Sequence, residues 1–255
     1  LLLLLHGITG YSPIFLTGAT SSLGQKVVKK ITENDLDVVC LVRDSKKAMQ
    51  LFDRNQHVHL FEGDVLDKNS IDIAMSNCSL SLNLHGIQKK SNLFNFWKIN
   101  DVYDPYYVNF VGMDNIANLA KKKNMPVVRL TGILCGLNNL HPLSMIFNIL
   151  FKNNVYWHRE SEKLLKESGV HFTILRPGGI KYIANQQIES TLVKQYPTSF
   201  TDEIDIKPPG FVDEDALANE ILRIVMNIHY SYINNDFENQ IVYFTERTSE
   251  PNTPI

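Results

Sequence analysis

The chain has 255 residues and a mass of 29.1 kDa, which suits one large domain or one domain with a small appendage. Its 25 basic and 27 acidic residues nearly balance, so its charge does not favour nucleic acid or an anionic lipid surface as a partner. The cysteines are few, lie far apart and form no CxxC motif, which argues against a disulfide framework or a zinc site and favours a reducing compartment.

Residues 1–12 begin with a run of leucines, and the sequence does not start with methionine. The run is too short to span a bilayer. We interpret this stretch as a disordered leader or the remnant of a targeting segment, with upstream sequence missing. No later run reaches transmembrane length, so the sequence predicts a soluble protein without an integral membrane span. We expect it in the cytoplasm or, if the leucines are a targeting remnant, in an organelle stroma such as that of a plastid.

Short apolar runs alternate with longer amphipathic runs in the first half of the chain, which is typical of strand–helix units in a parallel sheet. A first strand is predicted over PIFLTG and ends in a glycine turn. The helix LGQKVVKKITEN follows, with Leu23, Val27, Val28 and Ile31 on one face. The run DVVCLVR is typical of a strand covered on both faces. Third and fourth strands are predicted over HVHLFEGDV and, more weakly, CSLSLNLHG.

The second half repeats this alternation. A long helix is predicted over DPYYVNFVGMDNIANLAKKKN, a fifth strand over PVVRLTGIL, a helix closed by glycine over SEKLLKESG, and a sixth strand over VHFTILRPGG. Two such halves predict an α/β fold, a doubly wound parallel sheet of the Rossmann type, in a single domain over residues 13–255. The irregular residues 178–212 would form a small C-terminal substrate or lid region, and DEDALANEILRIVMNI a late helix.

The stretch TGATSSLG, from Thr17 to Gly24, joins the first strand to the first helix as a dinucleotide-binding turn does. Glycines stand at its first and last motif positions, but serine replaces the middle one. The helix N-terminus would hold a pyrophosphate by its exposed N–H groups, and the serine hydroxyl would be free to donate to a phosphate. The alternative is a turn that has stopped binding nucleotides. The loop residues expected to bind the cofactor are Gly18, Thr20, Ser21, Ser22, Leu23 and Gly24.

The end of the second strand selects between cofactors. An enzyme that uses NAD usually places a carboxylate there for the ribose 2′-OH, whereas a guanidinium suits the 2′-phosphate of NADP. Here the strand ends LVRD, so Arg43 stands at the tip and Asp44 follows. We expect Arg43 to bind NADP(H). The alternative is that Arg43 caps the strand in solvent and Asp44 takes the ribose.

These motifs, in this order and spacing, resemble the atypical short-chain dehydrogenases/reductases, with the NmrA-like, NAD(P)H-binding branch as the best match. The resemblance covers about residues 14–226 and includes GDVLD and SEKLLKESGVHFTILRPGG. It implies further cofactor-binding positions. They are Asp64 and Val65 at the adenine, Leu84, His85 and Gly86 beside the ribose, and Pro177 and Gly178 past the nicotinamide.

The same resemblance exposes departures at the catalytic positions. Catalytic members of the family carry a tyrosine and, four residues on, a lysine that lowers the pKa of the phenol. Counting back from LLKESG places Asn154 at the tyrosine position and His158 at the lysine position, while Tyr156 has the wrong spacing. The usual serine after the fifth strand corresponds to Thr131. The catalytic candidates are therefore Thr131 and His158, a histidine whose ordinary pKa suits proton transfer but which also fits a packed or surface helix position.

Two other features have a structural interpretation. His57 and His59 alternate along a strand and share a face, but no third ligand accompanies them, so we predict sheet packing and no metal site. An aromatic cluster follows the fourth strand and either lines an apolar pocket or packs an inserted loop. Its members are Phe94, Phe96, Trp97, Tyr103, Tyr106 and Tyr107.

Three functions are compatible with the sequence. The first is an NADP(H)-dependent oxidoreductase with a small-molecule substrate and a degenerate Tyr/Lys pair. The second is a non-catalytic NADP(H) sensor or scaffold that acts through a regulatory protein partner. The third is a structural subunit that has lost its cofactor, which Ser21 in the loop permits.

Overall fold

The computed structural model describes residues 12–53, 55–138, 140–181, 188–193, 210–233 and 239–246. The strands are β1 (Ile14–Thr17), β2 (Val38–Val42), β3 (Val58–Glu62), β4 (Leu80–Asn83), β5 (Val127–Leu130), β6 (Phe172–Pro177), β7 (Gly179–Lys181), β8 (Ile188–Val193), β9 (Phe211–Asp213) and β10 (Gln240–Glu246). The α-helices are α1 (Ser22–Thr32), α2 (Ser45–Leu51), α3 (Lys68–Ala74), α4 (Gly112–Lys122), α5 (Pro142–Leu150), α6 (Asn154–Ser168) and α7 (Glu214–Ile233).

The main sheet has the strand order β3-β2-β1-β4-β5-β6-β10-β8. The strands from β3 to β10 in that order pair in parallel, and β8 pairs antiparallel with β10 at one edge. A separate pair, β7 with β9, is parallel. This is the doubly wound Rossmann-type sheet that the sequence predicts, and that prediction is confirmed. The sequence pattern predicts no strand beyond β6. It misses β10, because this strand pairs with residues that lie far from it along the chain.

Helices cover both faces of the sheet, as the strand pattern requires. Along β1, Ile14 and Leu16 pack into the core under α1 and α7, whereas Phe15 packs into the core under α3, α4 and α6. Neighbouring residues of a strand point to opposite faces, so a strand with both faces covered is apolar throughout. The predicted apolar face of α1 is confirmed, since its four residues are at most 5% exposed.

The strand order reverses beside β1, which pairs with β2 on one side and β4 on the other. The chain segments that leave the carboxyl ends of these strands therefore separate, and a crevice opens between them. In open α/β sheets this crevice is where ligands bind.

The long helix predicted before β5 has an irregular start. Residues Tyr106–Val111 form a π-helical turn, and the regular helix α4 begins only at Gly112. Inside that turn, the carbonyl of Asn109 accepts a hydrogen bond from the buried Arg129 side chain at 3.4 Å. A side chain that bonds into a helical ladder is a recognised cause of such irregularity. The predicted glycine cap of α6 is present, with Gly169 at φ +76°.

Part of the predicted lid region can be described. The described part consists of β7, β8 and the start of β9, while residues 182–187 and 194–209 lie outside the described residues. Residues 1–11 of the predicted leader also lie outside them. Within the described ranges, no helix combines the length and apolarity needed to cross a membrane.

Candidate functional site

An open cleft lies at the carboxyl ends of β1 to β4. Of the predicted cofactor-binding residues, the cleft brings together Gly18, Thr20, Ser21, Arg43, Asp64, Val65, Leu84, His85 and Gly86. The remaining lining residues are Thr17, Ala19, Leu41, Val42, Gly63, Ile87 and Val108. Residues far apart in sequence therefore converge where the sheet predicts a ligand crevice.

Both glycines of the loop are required by its backbone. Gly18 has φ +85°, and a Cβ on it would lie 2.6 Å from the backbone nitrogen of His85. A Cβ on Gly24 would lie 2.1 Å from the carbonyl oxygen of Gly18. The loop thus crosses the end of β4 and turns into α1 at distances that only glycine permits.

The Ser21 hydroxyl is used inside the loop. Its oxygen accepts a hydrogen bond from the Gly24 N–H at 3.0 Å, which makes Ser21 the N-cap of α1. The same hydroxyl donates to the Gly18 carbonyl at 2.9 Å. Its single proton is therefore engaged, and the expectation that it is free to donate to a phosphate does not hold in this structure.

Three of the predicted loop residues do not line the cleft. Leu23 is a core residue, 5% exposed, and Gly24 packs against the loop carbonyls. Ser22 points to the other side, where its hydroxyl donates to Glu214 at the start of α7 at 2.8 Å. Their contribution to a phosphate site would come from the backbone of the first turn of α1.

Arg43 and Asp44 diverge at the end of β2. Arg43 is exposed, lines the cleft, and its guanidinium lies 5.1 Å from the centre of the Tyr103 ring. Asp44 instead caps α2, because its carboxylate accepts the N–H of Lys47 at 2.9 Å. Of the two side chains, the cation therefore faces the cleft.

Asp64 and Val65 follow β3 at the same edge. One carboxylate oxygen of Asp64 accepts the N–H of Leu66 at 2.9 Å, which orders the turn. Val65 packs against Gly112 at the start of α4, where a Cβ would come within 2.7 Å of the valine side chain. Beside them, His85 lies at 2.6 Å from the Thr17 hydroxyl.

Pro177 and Gly178 lie elsewhere. Both are buried at the end of β6, and the N–H of Gly178 donates to Phe244 of β10 at 3.1 Å. A Cβ on Gly178 would come within 2.3 Å of the Gly210 carbonyl oxygen. In this structure they join β6 to β10 and the small sheet, and they do not line the cleft.

His158 lies at the rim of the cleft on α6. The position of a Cβ on Gly86 is 3.4 Å from Cε1 and 3.6 Å from Nε2 of His158, so this edge of the ring faces a residue that lines the cleft. Its other nitrogen, Nδ1, lies 3.3 Å from Nη2 of Arg129. Burial, and then the Arg129 guanidinium, lower the pKa of His158 to about 3. His158 therefore differs from an ordinary histidine, and its role in proton transfer stays a prediction.

Residues 18–205 match the model of a protein family described as NAD(P)H-binding. The chain belongs to this NAD(P)H-binding family. The predicted resemblance to atypical short-chain dehydrogenases/reductases is thereby confirmed. Protein TIC 62, chloroplastic, of Arabidopsis thaliana is 26% identical over 183 residues, which cover 66% of this chain and 27% of that protein. Sanguinarine reductase of Eschscholzia californica is 25% identical over 194 residues, covering 66% of this chain and 69% of that protein.

Among solved structures, a short-chain dehydrogenase/reductase from Veillonella parvula in complex with NADP has the same fold. Its TM-score is 0.66 at 17% sequence identity, and the match covers 96% of this chain and 99% of that one. By length, the chain spans between 27% and 59% of three curated relatives from Arabidopsis thaliana.

Thr131 takes part in a buried ionic network. Its hydroxyl donates to Glu162 at 2.5 Å, and the same carboxylate accepts two hydrogen bonds from Arg176. Arg176 also contacts the Tyr243 hydroxyl, which joins β6 to β10. Thr131 does not line the cleft, and its proton is directed to Glu162. A polarising role like that of the usual serine would require this network to rearrange.

Asn154, at the predicted tyrosine position, is also turned inward. It is 6% exposed, and its side-chain oxygen accepts a hydrogen bond from Asn109 at 2.7 Å. Asn109 in turn bonds both backbone groups of Ile87, at 2.9 and 3.1 Å. Through Asn109, Asn154 therefore orders the wall of the cleft behind Gly86.

Arg129 is the important residue that sequence reasoning missed. It is fully buried in β5, where it meets both His85 and His158. The available signal was one arginine inside the otherwise apolar run PVVRL, since arginine is rarely fully buried. The two histidines of the HVH pair, in contrast, lie by Asp37, with His57 at 2.8 Å. Among the described residues, no group of three or more metal-ligating side chains is placed to hold a metal ion.

Proposed function

We propose that the cleft binds NADP(H) in preference to NAD(H) and that the protein is an oxidoreductase acting on a small-molecule substrate. The observation that carries this proposal is the orientation at the end of β2. Arg43 faces the cleft while Asp44 is used as a helix cap. A guanidinium at this position suits the 2′-phosphate, and a carboxylate would repel it.

The other residues of the cleft fit a dinucleotide. The close approach at Gly18 leaves no room for a side chain between β1 and β4, so backbone atoms line this part of the cleft. The N-terminus of α1, capped by Ser21, offers N–H groups and a favourable dipole for a pyrophosphate. One oxygen of Asp64 is engaged by Leu66, and the other accepts no hydrogen bond from the described residues. That oxygen suits an adenine amino group.

When bound, the cofactor supplies hydride transfer, and the protein supplies binding, orientation and electrostatics. In this chain His158 lies at the rim, and its neutral imidazole can donate one hydrogen bond but does not gain a second proton near neutral pH. Sanguinarine reductase, by its name a reductase, supports a reductive activity. Relatives named as chloroplastic support a plastid location, which imaging of a fluorescent fusion of the complete protein tests.

The sensor or scaffold function is the second candidate, and Asn154 is the observation that favours it. At the predicted position of the proton donor stands an asparagine that is hydrogen-bonded to Asn109. A positioned general acid typically contributes 10²–10⁴-fold in rate. We therefore expect slow reduction of simple carbonyls, and quinone-like substrates, which gain electrons more readily, to be the better ones. NADPH oxidation with a panel of both classes tests this. Saturable NADPH binding without turnover of any member would favour the sensor.

The cofactor proposal is tested by titrating NADPH and NADH into the protein and following nicotinamide fluorescence. We expect NADPH to bind more tightly. Arg43→Ala should weaken NADPH binding by about 1–3 kcal/mol, roughly 5- to 150-fold, and leave NADH binding unchanged. Lys46→Ala is the matched control, because Lys46 is exposed on α2 and does not line the cleft. Equal dissociation constants for the two cofactors in the unmodified protein would contradict the assignment of Arg43.

A further inference from the structure

Arg129 is a buried cation that forms no ion pair with an acid in the described ranges. Its side chain is fully buried, and among the described residues it forms no ion pair, since Glu162 is paired with Arg176. Its hydrogen bonds go to the carbonyl of His85 at 2.6 Å, the carbonyl of Asn109 at 3.4 Å and Nδ1 of His158 at 3.3 Å. A charge so buried is costly unless it is hydrogen-bonded, so these acceptors hold it in place.

The contact with His158 determines which ring nitrogen carries the proton. A guanidinium has five N–H donors and no acceptor. Nδ1 of His158 must therefore accept from Arg129, and in a neutral imidazole the proton then sits on Nε2. The described residues give Nε2 no hydrogen-bond partner, and that edge of the ring faces Gly86 in the cleft.

We propose that Arg129 is a positioning residue that fixes His158 as an Nε2–H hydrogen-bond donor, aimed at an oxygen of the ligand bound beside Gly86. The second half of this statement rests on the proposed function, because the ligand is the dinucleotide or its substrate. The first half does not, because the tautomer belongs to the protein alone.

The charged surroundings of His158 support a neutral ring. Arg129 faces it from β5, and His85 faces it from the segment after β4. On α6 itself, Glu162 lies one turn further on and is held by Arg176. Protonation would place a second cation against Arg129 in a buried setting. The ring is therefore expected to stay neutral as the pH falls through the range in which an exposed histidine, with a pKa near 6.5, becomes charged.

The test is histidine side-chain ¹⁵N NMR on the full 255-residue chain, without ligand, from pH 8 to pH 5. The His158 signals are assigned by their loss in His158→Gln. We expect the pattern of the Nε2–H tautomer and no titration across this range. In Arg129→Met the single tautomer should be lost, because Nδ1 no longer accepts from a guanidinium, and the midpoint should rise only by the smaller share that Arg129 adds to burial. Lys163→Met removes a cation from another position of the same helix and should leave the signals unchanged.

Arg129→Lys keeps the charge but not the planar guanidinium, so it separates the role of the charge from that of the geometry. It is also the variant to measure if Arg129→Met does not fold. We expect its His158 midpoint to stay below 6.5. A His158 that titrates near pH 6.5 in the unmodified protein, or that carries its proton on Nδ1, would overturn the proposal without any variant.

The ligand half is tested by adding NADPH alone, and then NADPH with a quinone. A shift of the Nε2–H signal on the first addition identifies the cofactor as the acceptor, and a shift only on the second identifies the substrate. No shift in either case, with NADPH binding saturated, would overturn the donor role. If NADPH does not bind at all, the proposed function fails while the tautomer result stands.

Discussion

The two halves of the cleft are built in different ways. The half beside β1 to β3 is made of backbone turns, with the glycine loop, the end of β2 and the turn after β3 each contributing residues close together in sequence. The half beside β5 and α6 is backed by buried polar side chains from distant segments, such as Arg129 with His158 and Asn109 with Asn154. The first half holds most of the predicted cofactor-binding residues, and the second holds the positions predicted for the tyrosine and lysine.

This difference indicates where the chain is free to change its chemistry. A backbone turn fixed by glycine tolerates few substitutions, so the binding half is constrained whatever the reaction. Side chains of the second half can be exchanged if their hydrogen-bonding groups and charges remain satisfied together. At the positions predicted for the tyrosine and lysine, Asn154 and His158 belong to a network in which Arg129 supplies a cation from the strand beneath the helix.

The largest effect on stability is expected from removing a buried charge that anchors the second half. The connection over residues 87–105 is anchored by Asp104, which is 1% exposed and lies 2.9 Å from Lys89 and 3.5 Å from Lys152. Asp104→Asn would leave the buried Lys152 ammonium without its counter-charge, so we expect unfolding to become easier by about 3 kcal/mol. Urea denaturation measures this. Asp101→Asn removes an exposed partner of Lys89 and should cost less than about 1 kcal/mol.

The pH dependence of this effect follows from the Asp104 pKa. Burial alone would raise that pKa, but the Asn100 N–H, Lys89 and Lys152 together outweigh burial and lower it. A lowered pKa means that the carboxylate stabilises the fold above the unfolded-state value of about 3.9, and that this stabilisation is lost as the pH falls through the folded-state value. The difference between Asp104→Asn and the unmodified protein should therefore be constant from pH 5 to 8 and shrink below about pH 4. A difference that grows in acid would contradict the ion-pair account.

A smaller effect is expected from breaking the first half at Gly24. A Cβ there would lie 2.1 Å from the Gly18 carbonyl oxygen, so α1 or the loop must shift. We expect Gly24→Ala to lower the free energy of unfolding by about 1–3 kcal/mol, as overpacking does, and to weaken NADPH binding strongly. Gly132→Ala is the matched control, because a Cβ there meets its nearest neighbour at 4.0 Å, and its effect should stay within about 0.5 kcal/mol. Undiminished NADPH binding in Gly24→Ala would place the dinucleotide elsewhere.

The same contrast explains how far the sequence could be interpreted. Patterns among residues close together in sequence were sufficient to predict the alternating strands and helices, the two loop glycines and the glycine after α6. The positions of Thr131 and Asn154 could be counted, but not the directions of their side chains, since their partners Glu162 and Asn109 lie on other elements. The Ser21 hydroxyl is similar, because the choice between a phosphate and the loop carbonyl depends on the geometry of the closed turn.

The β10 strand and the π-helical turn were missed for the same physical reason. Pairing of β10 with β6 joins residues almost seventy positions apart, as for Gln240 with Thr173, and no local pattern specifies it. The π-helical turn accompanies the contact between Asn109 and Arg129, which a helical periodicity does not contain. Long-range contacts of this kind override local propensity.

The smallest effect on NADPH binding is expected at the contact where the two halves of the cleft meet. Arg43 of the first half stacks on Tyr103, which belongs to the 87–105 connection of the second half, at 5.1 Å from the ring centre. The ring limits the guanidinium to a few positions at the mouth of the cleft, which should favour its contact with a 2′-phosphate. Tyr103→Ala should therefore weaken NADPH binding by about 0.5–1 kcal/mol, roughly two- to five-fold, the usual range for an exposed cation–π contact. NADH binding should not change, since NADH has no 2′-phosphate for Arg43 to bind. Tyr103→Phe keeps the ring and should behave like the unmodified protein. Tighter NADPH binding in Tyr103→Ala would show instead that the ring holds Arg43 away from the ligand. The Tyr103 ring and the 2′-phosphate would then bind the guanidinium in alternative positions.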